Sequence, residues 1–125
     1  MQFLCLIYDH DPDTGLPPDD QGAFDEIVRD VLAYRKALAD NGHYVLSSPL
    51  GAPESARTIK VREGQPIITD GPFAETKDVV GGFYLIEAKD MEEALRLAEQ
   101  MPPARFAAIE VRPLHRFELE EEQPD

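Results

Sequence analysis

The chain has no tryptophan and one cysteine, and its twelve lysines and arginines face twenty-five acids, a formal net charge of −13. A field of that sign repels a phosphate backbone and no basic stripe interrupts it, so nucleic acid is excluded as a partner. No apolar run approaches the roughly 20 residues of a membrane span, and no basic segment precedes the short apolar run at the start. The expectation is a cytoplasmic protein with no membrane partner. A lone thiol has no intrachain disulfide to form; Cys5, inside Phe3-Leu4-Cys5-Leu6-Ile7, is expected as a small core residue in a reducing compartment. Cys5, His10, His43 and His115 show no zinc-ligand spacing, and both a phosphate-cradling glycine loop and a nucleophile elbow are missing. Neither a metal nor a cofactor is expected.

What is present suffices for one domain: 125 residues, 42% of them hydrophobic, bury a core without disulfide help. The acids are unevenly placed. Asp9, Asp11, Asp13, Asp19 and Asp20 crowd one loop, whose spacing superficially matches a calcium loop. Thr14 stands where such a loop needs glycine and Asp20 where it needs glutamate, so a solvated acidic loop is expected. A second acidic cluster starts at Glu118, where little remains to bury. The domain is therefore expected over residues 1–117, with 118–125 as an acidic, disordered tail.

Apolar residues fill both parities of residues 2–8, as in a strand covered on both faces. From Gly22, the residues Phe24, Ile27, Val28, Val31, Leu32 and Leu38 recur at helical spacing until Asn41-Gly42, a left-handed stop. A short strand follows over 43–47. Two further strands, 58–62 and 66–69, flank Glu63-Gly64-Gln65 as a hairpin. Residues 83–88 form another strand apolar on both parities, and Gly81-Gly82 before it suits a bulge or a close backbone contact. Asp90 and Glu93 form a capping box for a helix whose stripe is Met91, Ala94, Leu95, Ala98 and Met101, ended by Pro102-Pro103. A last strand covers 107–112.

Strand, helix, strand, hairpin, strand, helix, strand is an α+β order, a ferredoxin-like split βαβ pattern with an inserted β-hairpin. Two helices cover one face of such a sheet, yet the strands at 2–8 and 83–88 are apolar on both. A second copy packed sheet against sheet would cover the other face, and the hairpin folding over it is the alternative.

Within Asp70-Gly71-Pro72-Phe73-Ala74-Glu75-Thr76-Lys77, Gly71 supplies positive φ, Pro72 fixes its own φ, and Asp70 can accept from nearby backbone N–H groups. That explains a corner, with Phe73 filling an apolar gap beside it. The charged ends of Glu75 and Lys77 are surplus to a turn; beside Asp70 in a cleft they would orient a polar ligand. Imidazole is the side chain suited to proton transfer near neutral pH, which makes His43 the best general-base candidate, with Tyr8, Ser47 and Ser48 as nearby hydroxyls. Residues 57–77 hold four cations against three acids, a local +1 that suits either a small anion or a solvated hairpin.

These stretches resemble the YCII-related proteins, in the branch named for its Asp-Gly-Pro-Phe signature. The resemblance lies in Phe3 to Tyr8, Thr69 to Lys77, Gly81 to Ala88 and Ile109 to Pro113, and covers about residues 1–114. It implies a ferredoxin-like subunit that dimerises as a dimeric α+β barrel. Some relatives carry a His-Asp catalytic pair, one with a dehalogenating role on a hydroxylated aromatic; the helix from Phe24 to Asp40 departs from that pattern in having no histidine. The signature's branch is also associated with extracytoplasmic-function sigma factors. Two functions follow as expectations. One is a homodimeric small-ligand-binding or regulatory module, linked to a sigma factor. The other is a cofactor-independent enzyme of isomerase, lyase or dehalogenase type on a small aromatic or anionic metabolite. In the enzyme, His43 or Asp70 would move a proton and Lys77 or Arg57 would stabilise developing charge; in either reading Tyr8, Ser48, Arg57, Phe73, Glu75 and Lys77 would contact the ligand.

Overall fold

The computed structural model describes residues 1–9, 21–73, 79–105 and 107–115. Strand β1 (Gln2–Asp9) leads to helix α1 (Gln21–Asp40) and β2 (Tyr44–Pro49). A hairpin of β3 (Arg57–Arg62) and β4 (Gln65–Asp70) precedes β5 (Val79–Glu87), α2 (Met91–Ala98) and β6 (Ala108–Pro113). The sheet order is β2-β5-β1-β6, and each neighbouring pair is antiparallel. Because β1 and β2 run parallel with β5 between them, the unit is a split βαβ, the ferredoxin-like frame expected from the element order. The hairpin is a separate two-stranded sheet.

One sheet face carries the core. Phe3, Cys5 and Ile7 of β1 and Tyr84 and Ile86 of β5 pack against Leu38 of α1, Ala94 and Ala98 of α2, and Met101. Tyr34 joins the two helices by donating to the Leu97 carbonyl at 2.6 Å, and its ring meets Tyr84 edge to face at 5.8 Å. Burial lifts the Cys5 thiol to about 11 and pushes the Tyr34 and Tyr84 hydroxyls up, so these groups stay protonated. Cys5 is a packing residue and not a nucleophile.

The helix stops follow local chemistry. Gly42 takes φ +77°, and the His43 N–H bonds to the Leu38 carbonyl at 2.9 Å, closing α1. Asp90 accepts from the Glu93 N–H at 2.9 Å, while the Glu93 carboxylate takes the Lys89 N–H, one residue ahead of the expected box. The α2 helix ends at Ala98, four residues before Pro102. Met101 is still fully buried, carried inward by the turn after the helix. The stripes expected on both helices are broader than the faces the sheet covers: Val28, Leu32, Met91 and Leu95 are exposed. No described helix is long and apolar enough to cross a membrane.

The strand at 83–88 starts earlier than its side chains suggest, at Val79. Ile7 pairs with Gly82 and Tyr8 with Val80, so Gly81 is the extra residue of a bulge. At Gly82 a Cβ would lie 3.1 Å from the Ser48 carbonyl, a close backbone approach that glycine permits.

Candidate functional site

The Asp-Gly-Pro-Phe stretch is a corner at the root of the hairpin. Gly71 has φ +91°, its N–H donates to the Ala56 carbonyl at 2.7 Å, and Thr58 Oγ1 donates to the Gly71 carbonyl at 2.8 Å. These bonds, and not the Asp70 carboxylate, hold the turn. Asp70 instead faces Arg57 across the hairpin, Nε to Oδ1 3.7 Å, with both side chains well exposed. Phe73 does not plug a gap: it is 75% exposed. The Lys60 ammonium lies over its ring, 4.9 Å from the centroid. Glu75 and Lys77 lie outside the described residues, as do the acidic loop after Asp9 and the tail from Glu118.

Open space surrounds the Cβ position of Gly71, so a substitution there meets torsional strain alone. Gly71→Ala is expected to cost about 1–2 kcal/mol, read as a lowered midpoint in thermal unfolding. An unchanged midpoint would mean that the corner relaxes at no cost.

His43 sits at the opposite end of the sheet. Its Nδ1 lies 2.8 Å from the Glu87 carbonyl and must donate to it, which leaves the lone pair of the neutral ring on Nε2. Glu87 and Gly82 stand five positions apart on β5, roughly 17 Å of strand. His43 is thus engaged at one end of the sheet, while Asp70 is engaged in the hairpin.

A different constellation forms on the sheet face away from the helices. Opposed residues in an antiparallel sheet share a face, so the register fixes its rows. Ser48, Phe83, Leu6 and Glu110 form one row, and Leu46, Leu85, Leu4 and Arg112 the next. Four apolar side chains, Leu4, Leu6, Phe83 and Leu85, make a central square. Its β6 border is polar: Tyr8 donates to Glu110 Oε1 at 3.1 Å, and Arg112 Nε lies 3.7 Å from Glu110 Oε2. A hydroxyl, a carboxylate and a guanidinium thus run along one edge of an apolar platform. Tyr8 and Ser48, both expected at the site, share this face across its width. The Ser48 hydroxyl, however, donates to the Pro49 carbonyl at 2.7 Å and is satisfied locally.

Such an edge can accept a hydroxyl proton at Glu110 and donate to an anionic oxygen from Arg112, while the platform takes a ring or chain. Glu110 and Arg112 are absent from the sequence-derived set. Their alternation with Ile109 and Val111 was the available signal, but it says only that they point away from the core.

A family model for the YCII-related domain matches residues 1–118. An uncharacterised protein of Rhizobium meliloti (strain 1021) is 35% identical over 116 residues, spanning 91% of this chain and 92% of its own length. Among solved structures, the 5-chloro-2-hydroxyhydroquinone dehydrochlorinase of Burkholderia phenoliruptrix AC1100, in complex with 2,5-dihydroxybenzoquinone, is similar over 95% of this chain and 98% of its own. The identity there is 21% and the TM-score 0.48.

Proposed function

The chain belongs to the YCII-related family, and from that premise we propose that it works as a homodimeric small-ligand-binding or regulatory module whose ligand lies on the open sheet face, between two copies. One observation carries this reading. The apolar square of Leu4, Leu6, Phe83 and Leu85 faces away from both helices and is bordered by the Tyr8–Glu110–Arg112 line. The hairpin strands stay exposed along nearly their whole length, which argues against their serving as a roof over it. A second copy is the cover that a twofold arrangement supplies.

The ligand class follows from the groups. A small molecule with an apolar ring, a hydroxyl for Glu110 and an acid group for Arg112 matches the face. NMR titration with 4-hydroxybenzoate as probe is expected to give saturable shifts confined to residues 4–8, 83–85 and 108–112. Arg112→Ala should weaken that binding about tenfold or more, the loss of one charge-assisted contact. No saturable shift on this face with any of a panel of ring acids would sink the proposal. Membership of the Asp-Gly-Pro-Phe branch and a sigma factor as regulatory partner belong to the same proposal, supported by residues 70–73; co-purification of the full chain with such a factor tests the partner.

A cofactor-independent enzyme is the second reading, and the Tyr8–Glu110 hydrogen bond favours it by placing a proton donor beside an acceptor. Glu110→Gln would then keep ring-acid binding and abolish turnover of any ring acid the wild type converts.

A further inference from the structure

The β3–β4 hairpin is a two-faced ribbon. Ile59 opposes Ile68 and Val61 opposes Pro66, which places these four on one face, with the Arg57–Asp70 pair at its root. Thr58–Thr69, Lys60–Ile67 and Arg62–Gln65 occupy the other, where Lys60 reaches Phe73. The apolar face is open: Ile59 is 62% exposed, Val61 59% and Ile68 59%.

An isolated two-stranded hairpin is marginal in water. This one is nevertheless built for stiffness. Its six pairs are in register, and Glu63 (φ 52°) and Gly64 (φ 77°) form a two-residue turn with both positions at positive φ, the turn that matches strand twist. Gln65, read from sequence as part of the connection, is the first residue of β4. The root is fastened by the Gly71–Ala56 and Thr58–Gly71 bonds. The result is an arm of about 20 Å with an unsatisfied apolar side.

We propose that this arm docks, through Ile59, Val61, Pro66 and Ile68, on a second copy of the chain, with the arms exchanged about a twofold axis. Charge selects that occupant. Arg57, Lys60 and Arg62 against Glu63 and Asp70 give the hairpin +1, which leaves −14 on the remainder of a −13 chain. The arm carries the sign opposite to that of the remaining body, so its cations are attracted to the body of another copy. Continuity with the open face points the same way. Leu50 N–H bonds to the Gly81 carbonyl at 2.9 Å, so the segment leading into the arm leaves the sheet at the Tyr8 end of that face. A reciprocal exchange closes on itself, whereas a one-way contact would propagate into fibres.

This inference rests on the homodimer proposed above but concerns a second surface, and the test separates the two. Sedimentation equilibrium compares the full-length wild type with the Ile59→Asp/Ile68→Asp double variant and with Ile67→Asp, which charges the opposite face. The double variant is expected to associate about 100-fold more weakly, and Ile67→Asp to stay within about threefold of wild type. Hydrogen exchange at two protein concentrations should show residues 59–68 protected at the higher one only. A double variant that associates as tightly as wild type, an equal loss in Ile67→Asp, or arm exchange independent of concentration overturns the arm and leaves the open-face dimer standing. A wild type that is monomeric throughout the micromolar range overturns both.

Discussion

Phe3→Ala is expected to lower the unfolding free energy by about 3–5 kcal/mol, the range for truncating a fully buried aromatic. Phe3 is 1% exposed and lies on β1, the strand hydrogen-bonded to both β5 and β6. It pairs with Ile86 on one side and Pro113 on the other, so a cavity there opens at the junction of three strands. Marginal domains hold about 5–15 kcal/mol in all, so the variant approaches the limit of folding. Urea unfolding at one fixed protein concentration checks it, since association would otherwise shift the midpoint. A loss below about 1 kcal/mol would show that the site collapses around the smaller side chain, and the core described above would be looser than its burial implies.

Leu85→Glu is expected to do the opposite: spare the fold and abolish the proposed dimer. Leu85 lies on the open face between Leu4 and Leu46, and only part of it is covered within one chain. In a twofold interface each substitution occurs twice and removes about 1.5–3 kcal/mol of burial per copy, with charge repulsion added. The association constant should therefore drop about 100-fold or more, with an unchanged far-ultraviolet circular dichroism spectrum. Association as tight as that of the wild type would be evidence that the open face is not the interface. The charged replacement is preferable to alanine because it opposes association directly, instead of merely trimming the contact.

The sequence was most legible where order is local. The spacing of Ile27, Val31 and Leu38 marks α1, and Asn41-Gly42 marks its end, because a helix face and its stop are set within one or two turns of chain. Gly64 marks the hairpin for the same reason. The two-sided apolarity of β1 and β5 also implies an uncovered face from sequence alone. Legibility failed where position depends on what packs nearby. Phe73 looks like a plug in sequence and is a surface ring, and Asp70 looks like a turn acceptor while its partner is Arg57, thirteen residues earlier. His43 looks like a base in search of a cleft, and the Glu87 carbonyl takes its Nδ1 proton. Glu110 falls outside the sequence-derived site because its partner Tyr8 is 102 residues away.

The amino-acid order alone determined the elements, their sequence along the chain and the surplus of apolar strand surface over helices able to shield it. These rest on periodicity and on residue-specific backbone preferences, which act over a few residues. Only the tertiary structure decided which residues share a row. The registers of β1 with β5 and β6 put Leu4, Leu6, Phe83 and Leu85 together and set the Tyr8–Glu110–Arg112 line beside them. A shift of one residue in either register would send every side chain to the other face, and that choice is made by the whole core at once.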